Sequence, residues 1–193
     1  MDNKSLRILL IDIKHNTIGI NSSFMPIGIA YIGSYTLSRL GSKNAEIKMF
    51  TNPEKVMQCI DSWKPHIVGM TNYCWNSEGS YRMLRYAKKL NPNVVCVAGG
   101  PDLPYVHDSY EYMNTRSSYL DFYAYKEGEG AFADLSVKIS NGVQLIDLKR
   151  EKQTGMMAIH PENGNLIVGE ESPRIMDMDE IPSPYLEGMM DKF

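Results

Sequence analysis

The sequence predicts an α/β fold in which a doubly wound parallel sheet carries helices on both faces. Three observations predict it. Arg7–Ile13 and Val94–Ala98 are continuous apolar runs, which suit strands buried on both sides. Segments with apolar residues at helical spacing alternate with such runs, as βα units require. The breaks between them carry Gly, Pro or Asn where an element must stop or be capped.

Arg7–Ile13 is the first strand, and a polar loop follows from Lys14 to about Met25. Pro26 takes the first helical position, where a missing N–H is tolerated. Ile29, Ile32, Gly33, Leu37 and Leu40 then recur at helical spacing until Gly41 ends the first helix. Glu46–Phe50 is the second strand. Asn52-Pro53 opens a second helix with Val56, Ile60 and Trp63 on one face, and Pro65 breaks it. Ile67–Thr71 is the third strand, and the helix after it turns Met83, Leu84, Ala87 and Leu90 inward. Val94–Ala98 is the fourth strand, stopping at Gly99-Gly100-Pro101. A fourth helix aligns Val106, Tyr110 and Met113; Asp121–Tyr125 is the fifth strand; Gly130–Ser140 is the fifth helix, bearing Phe132, Leu135 and Ile139.

Residues 1–147 thus predict a flavodoxin-like (Rossmann-like) five-stranded sheet of order 2-1-3-4-5. Its ligand is expected at the carboxyl ends of the strands, near the switch point. Residues 148–171 form an appendage, a β-hairpin in which Met156–His160 and Leu166–Val168 flank Pro161-Glu162-Asn163-Gly164. Residues 172–193, with Pro173, Pro182 and Pro184, read as an extended connector to a further domain.

Lys plus Arg number 20 against 23 Asp plus Glu, a net charge of −3, and nothing in that balance calls for a nucleic-acid or membrane partner. No apolar run approaches the roughly 18 residues that cross a bilayer. Cys59, Cys74 and Cys96 form neither a CxxC pair nor a disulfide framework, so reduced thiols in a cytoplasmic protein are expected. Twelve tyrosines and 13 methionines suit surfaces that wrap a large, partly apolar object, and suit a Met-rich core equally well.

Four loops share the predicted carboxyl rim: Lys14–Met25, Asn72–Ser77, Gly99–Asp102 and Lys126–Gly130. Gly99-Gly100-Pro101 ends a strand with two residues lacking a Cβ, which lets a bulky ligand reach the backbone or simply makes a tight turn. Asn72-Tyr73-Cys74-Trp75-Asn76 places two aromatics and two amides in one loop. Gly128, Gly130 and Ala133 match a dinucleotide fingerprint, but at the last βα unit rather than the first, with Glu127 and Glu129 set to repel a pyrophosphate. A phosphoacceptor domain needs a carboxylate at the end of the third strand, and Gly69-Met70-Thr71 offers none. Among the four histidines only His15 falls on the rim, and no pair is spaced for a metal.

Together these loops resemble the N-terminal cobalamin-binding domain of the cobalamin-dependent radical S-adenosylmethionine (radical SAM) enzymes. The resemblance rests on Pro26-x-Gly28, Val68-Gly69 before Trp75-Asn76, Gly99-Gly100-Pro101, Glu127-Gly128-Glu129, and the connector-like Met178–Leu186. It implies cobalamin lying across the rim, its nucleotide tail entering between sheet and helices near Gly99-Gly100. The implied contact set is His15, Asn16, Thr17, Pro26, Gly28, Thr71, Asn72, Tyr73, Trp75, Asn76, Gly99, Gly100, Pro101, Glu127, Gly128 and Glu129. No catalytic residue and no protein metal ligand is implied.

Related cobalamin domains carry Asp-x-His-x-x-Gly after the first strand, the histidine replacing the nucleotide base on cobalt. Here Lys14 and Thr17 stand at the His and Gly positions after Asp12, and His15 is one place out of register. Base-off cobalamin without a histidine ligand follows from that departure. The resemblance also implies a partner barrel in the same parent chain, bearing an iron–sulfur cluster and S-adenosylmethionine for methyl transfer or a related radical reaction. The alternative is a free-standing flavodoxin-like domain for a flavin or another small ligand.

One prediction follows for residues 1–193. An iron–sulfur cluster needs several converging thiolates, whereas Cys59 falls on a helix, Cys96 in a strand and Cys74 in a rim loop. Anaerobic reconstitution is expected to yield no stoichiometric cluster and no cleavage of S-adenosylmethionine; a stoichiometric cluster would mean the cysteines converge.

Overall fold

The apolar run at the start of the chain forms β1 (Leu6–Ile11), buried along almost its whole length because strands flank it and helices cover both its faces. The structure, a computed structural model, describes residues 5–14, 16–17, 20–21, 25–105 and 108–193. A short hairpin of β2 (Asn16–Thr17) and β3 (Ile20–Asn21) lies apart from the main sheet. Then come α1 (Ile27–Leu40), β4 (Ala45–Phe50), α2 (Pro53–Trp63), β5 (Ile67–Thr71), α3 (Ser77–Leu90), β6 (Val95–Gly99), α4 (Ser109–Asn114), β7 (Phe122–Ala124) and α5 (Gly128–Ser140).

The parallel strands run β4-β1-β5-β6-β7, which is the predicted order 2-1-3-4-5. The sheet is larger than the predicted five strands. After a short helix α6 (Leu145–Arg150), β8 (Met156–Ile159) pairs antiparallel with β7, and β9 (Leu166–Val168) pairs with β8, making seven. The cause is an edge: without β8, β7 would leave a row of backbone groups unpaired. β8 is buried on both faces, with Met156 and Ala158 in one core and Met157 and Ile159 in the other.

Helices α1 and α5 cover one face over Leu6, Ile8, Leu10, Val97 and Phe122; α2, α3 and α4 cover the other over Leu9, Ile11, Val68, Cys96 and Tyr123. Asn52 caps α2 as read, its side chain accepting from the Lys55 amide at 3.1 Å. Two helical residues differ from expectation. Leu90, in the last turn of α3, and Tyr110, on the short α4, are half exposed. Val106 lies outside the described residues, and Pro26 stands just before the first turn of α1 rather than within it.

The C-terminal segment is not a free extension. Ile175 and Ile181 pack with Tyr31 and Tyr35 of α1 and Ala133 of α5, and Met190 is buried in the core beneath α1. The final residues make successive turns, with Glu187 and Met189 amides donating to Ser183 and Pro184 carbonyls. Ile175, Ile181 and Met190 account for the docking, whereas Met176, Met178 and Leu186 stay exposed.

At the start of β7, Asp121 is buried and accepts from the Cys96 amide at 2.8 Å, with Lys88 at 2.7 Å and Lys149 at 3.8 Å. This carboxylate ties α3 and α6 to the sheet. Removing one partner of a buried ion pair leaves an uncompensated charge, which costs about 3–5 kcal/mol. Asp121→Ala is therefore expected to lose about that much in chemical denaturation, and a loss below 1 kcal/mol would show that water already solvates Lys88.

Candidate functional site

The alternation of side chains along three parallel strands builds a slot. On the face under α1 and α5, Leu10, Gly69 and Val97 stand side by side across β1, β5 and β6. One step nearer the carboxyl rim, the row is Thr71, Gly99 and Ala124. This upper row is small, so the helices cannot close on the sheet there. The space left is a cavity of about 270 Å³, walled by Gly28, Ile29 and Ile32 of α1 and by Glu127, Gly128, Glu129 and Phe132 of the α5 entry.

Gly69 sets the depth of the floor. A Cβ there would lie 2.8 Å from Leu10 Cδ2 and 2.9 Å from Phe132 Cε2, so both side chains close over bare backbone. Around the mouth glycine leaves room instead: a Cβ at Gly28 meets nothing within 4 Å, and one at Gly99 comes no nearer than 3.4 Å, to the Ala124 carbonyl. A cavity this size falls just below the roughly 300–1,000 Å³ usual for a whole ligand. It suits one flat appendage of a larger molecule.

The mouth is polar and tied down. Lys126 adopts a left-handed backbone, φ 59°, and pairs with Glu171, while Arg174 Nε contacts Glu127 Oε1 at 2.8 Å. The same C-terminal segment is anchored alongside by the Tyr125 hydroxyl, which donates to the Gly169 carbonyl at 2.6 Å.

Behind the slot, two rim loops are locked by buried polar groups. Thr71 Oγ1 donates to Asp12 Oδ1 at 2.7 Å, and Asn76 Nδ2 donates to both, at 2.9 Å to Thr71 and 3.1 Å to Asp12. Burial holds the Asp12 carboxyl above the ordinary carboxylate range, against the opposing effect of those hydrogen bonds and of nearby Lys14. Asn72 is fully buried; its Nδ2 contacts the Asp102 carbonyl and the Tyr112 and Tyr123 hydroxyls at 2.7–2.9 Å. Burial pushes both phenols above their usual range, and Tyr123 donates to the Gly100 carbonyl at 2.8 Å. They therefore work as neutral hydroxyls at any ordinary pH.

Of the residues predicted from sequence, Gly28, Thr71, Tyr73, Gly99, Gly100, Glu127, Gly128 and Glu129 line the cavity together. Asn72 and Asn76 do not; they face inward and hold the loops. Trp75 is half exposed and stacks on Tyr73, ring centroids 4.5 Å apart at 9°. Pro101 is exposed, and Pro26 is buried at the start of α1. His15 lies outside the described residues, as do the side chains of Asn16 and Thr17 in β2.

Sequence reasoning missed Leu10, Ile32, Gly69, Val97, Lys126 and Phe132 as lining residues. Gly69 did carry a signal, a glycine inside an otherwise apolar strand, which often marks close approach of another group. Among the described residues no group of three or more His, Cys, Asp or Glu could hold a metal, and no helix is long and apolar enough to cross a membrane.

Comparison with known proteins bears on this geometry. The model of a family described as "B12 binding domain" matches residues 15–136. The cobalamin-dependent radical SAM methyltransferase TokK of Streptomyces tokunonensis is 29% identical over 130 residues, 66% of this chain and 18% of that protein. The 2-(S-pantetheinyl)-carbapenam-3-carboxylate methyltransferase of Streptantibioticus cattleyicolor is 30% identical over 128 residues, 66% of this chain and 17% of its own. This chain therefore spans less than a fifth of either relative. The structure of OxsB, a cobalamin-dependent S-adenosylmethionine radical enzyme with aqua-cobalamin bound, superposes with a TM-score of 0.66 at 16% identity, over 98% of this chain and 26% of that one.

Gly100 separates structure from ligand contact. Sequence reasoning left it open between bare backbone for a ligand and a tight turn. Its φ is +134° and a Cβ would lie 2.5 Å from the Asn72 carbonyl oxygen, so the neighbouring loop already forbids a side chain. Overpacking of this kind costs about 1–3 kcal/mol. Gly100→Ala is expected to destabilise the ligand-free protein by that amount, and Gly28→Ala by less than about 0.5 kcal/mol, the usual range for a surface change. Equal melting of the two variants would contradict this assignment.

Proposed function

The chain belongs to the B12-binding domain family, and from that premise we propose that it carries cobalamin across its carboxyl rim as the cofactor domain of a radical SAM enzyme. The observation that carries this reading is the slot. It is too small for a corrin ring yet suited to a flat heteroaromatic appendage, with an apolar floor and three bare glycines, Gly28, Gly99 and Gly128, around its mouth. A nucleotide tail would enter there, leaving the ring over Tyr73 and Trp75 and the loops behind them.

The residues present fit such a group. Burying a base against Leu10, Ile29, Ile32, Val97 and Phe132 gains roughly 25 cal/mol per Å² of apolar surface. The rim loops, fixed by Asn72 and Asn76, need little ordering when the ligand arrives, so little of that gain is lost. When bound, cobalamin supplies a cobalt centre able to carry a methyl group. The protein's part is to bind the tail, exclude water from the slot and hold the exposed rim toward a catalytic partner. Glu127 and Glu129 stay at the mouth, where Arg174 offsets the charge of Glu127.

A base in the slot is a base away from cobalt, and Lys14 and Thr17 stand where a histidine ligand motif would need His and Gly. The bound form is therefore base-off with no histidine on the metal. The iron–sulfur cluster, S-adenosylmethionine and the methyl-transfer or related radical step belong to a barrel elsewhere in the parent chain, reached through residues 172–193. The activities of the relatives support that reading. The flavin-binding alternative is not favoured by the family match.

Titration with hydroxocobalamin, followed by absorption spectroscopy, tests this. Saturable binding with a base-off spectrum, unchanged in His15→Ala, is the expected result. An imidazole-ligated spectrum that disappears in His15→Ala would overturn the ligation state. Copurification of a flavin with no response to cobalamin would overturn the function.

A further inference from the structure

The depth of the slot holds no hydrogen-bonding side chain. Leu10, Ile29, Ile32, Gly69, Val97 and Phe132 form it, and the strand backbone behind them is engaged in the sheet, Gly69 lying in register between Leu10 and Val97. Of the two hydroxyl-bearing residues in the lining, Thr71 and Tyr73, the Thr71 hydrogen is committed to Asp12 and its oxygen already accepts from Asn76. Of the charged groups at the mouth, Lys126 and Glu127 are paired with Glu171 and Arg174, and Glu129 stands beside them. Beside those six residues a flat group meets shape and apolar surface, and the polar side chains of Thr71, Tyr73, Lys126, Glu127 and Glu129 line the rest of the cavity.

Corrinoids differ in the base that ends their nucleotide tail. A dimethylbenzimidazole presents a fused apolar ring edge, whereas adenine presents an exocyclic amine and further ring nitrogens that water must give up. Polar groups buried without partners lose their hydration uncompensated, and selection against them is stronger than selection on size alone. Resting on the reading that the tail enters this slot, we propose that the slot selects among corrinoids by their lower base, favouring benzimidazole-type over purine-type cobamides. Ile32 is the residue placed to control it: it lines the wall on α1, is only partly buried, and lies 3.3 Å from where a Gly128 Cβ would project.

The test is equilibrium dialysis of the ligand-free protein against three corrinoids: cobalamin, its adenine-containing analogue, and cobinamide, which lacks the nucleotide. Cobalamin is expected to bind at least about tenfold more tightly than the adenine form, a difference of about 1.4 kcal/mol, with cobinamide weaker than cobalamin. In Ile32→Gln, an amide that can both donate and accept enters the wall, and the preference should shrink to about threefold or less. A thermal melt of the ligand-free variant checks that α1 is intact, and Ile32→Thr provides a smaller polar substitution should the glutamine unfold it. Equal affinity for both cobamides, each tighter than cobinamide, would overturn the selectivity and leave the tail in the slot. Cobinamide binding as tightly as cobalamin would remove the tail from the slot, and this inference with it. An unaltered preference in a folded Ile32 variant would take control away from that residue.

Discussion

Phe132 resting on the bare backbone of Gly69 is the contact on which the rest depends. With 2.8 Å and 2.9 Å between a hypothetical Cβ and its neighbours, nothing larger than glycine fits between β5, Leu10 and α5. That contact fixes how closely the start of α5 approaches the sheet. Just above it, Thr71, Gly99 and Ala124 are too small to fill the gap between sheet and helices. Close approach at the base and poor filling at the rim together make a slot rather than a sealed core, and α1 and α5 become its walls.

A slot is useful only if its lip stays put, and the buried polar groups on the far side of the rim do that. Asn72 links its own loop to Asp102, Tyr112 and Tyr123, while Tyr123 reaches Gly100. Asn76 links Asp12 to Thr71. Buried hydrogen bonds of this kind favour a single arrangement of the loops, and of the Asn72 amide it is the nitrogen that makes them, its Oδ1 being buried without a partner among the described residues. The outer lip is held differently, by exposed ion pairs to Glu171 and Arg174, each worth no more than about 1 kcal/mol. One side of the rim is thus rigid and the other lightly clasped by the segment that leads out of the domain.

Much of this was legible in the sequence because strands buried on both faces write themselves as apolar runs. Strand order followed from βα topology, and Gly99-Gly100 and Glu127-Gly128-Glu129 were correctly placed on one rim. The sequence left Gly100 open between ligand contact and a tight turn: composition shows that a residue lacks a Cβ, and only the path of the Asn72 loop shows what excludes one. Asn72 and Asn76 were read as ligand contacts because polarity in a rim loop looks the same whether it faces a ligand or a buried tyrosine. Ile32, Val97 and Phe132 were hidden for the converse reason, since a residue lining an apolar slot has the pattern of a core residue. Joining of the hairpin to the sheet, and docking of residues 175–193, depend on long-range edge pairing and seam filling that local periodicity does not encode.

The central claim is that the space between α1, α5 and the sheet receives part of a corrinoid. Hydrogen–deuterium exchange of the chain with and without saturating cobalamin addresses it most directly. New protection is expected to concentrate in residues 27–32, 69–71, 97–100 and 126–132, the segments around the slot, with β9 and α2 unchanged. Protection confined to the outer rim loops, leaving 27–32 and 126–132 exchanging as before, would contradict it.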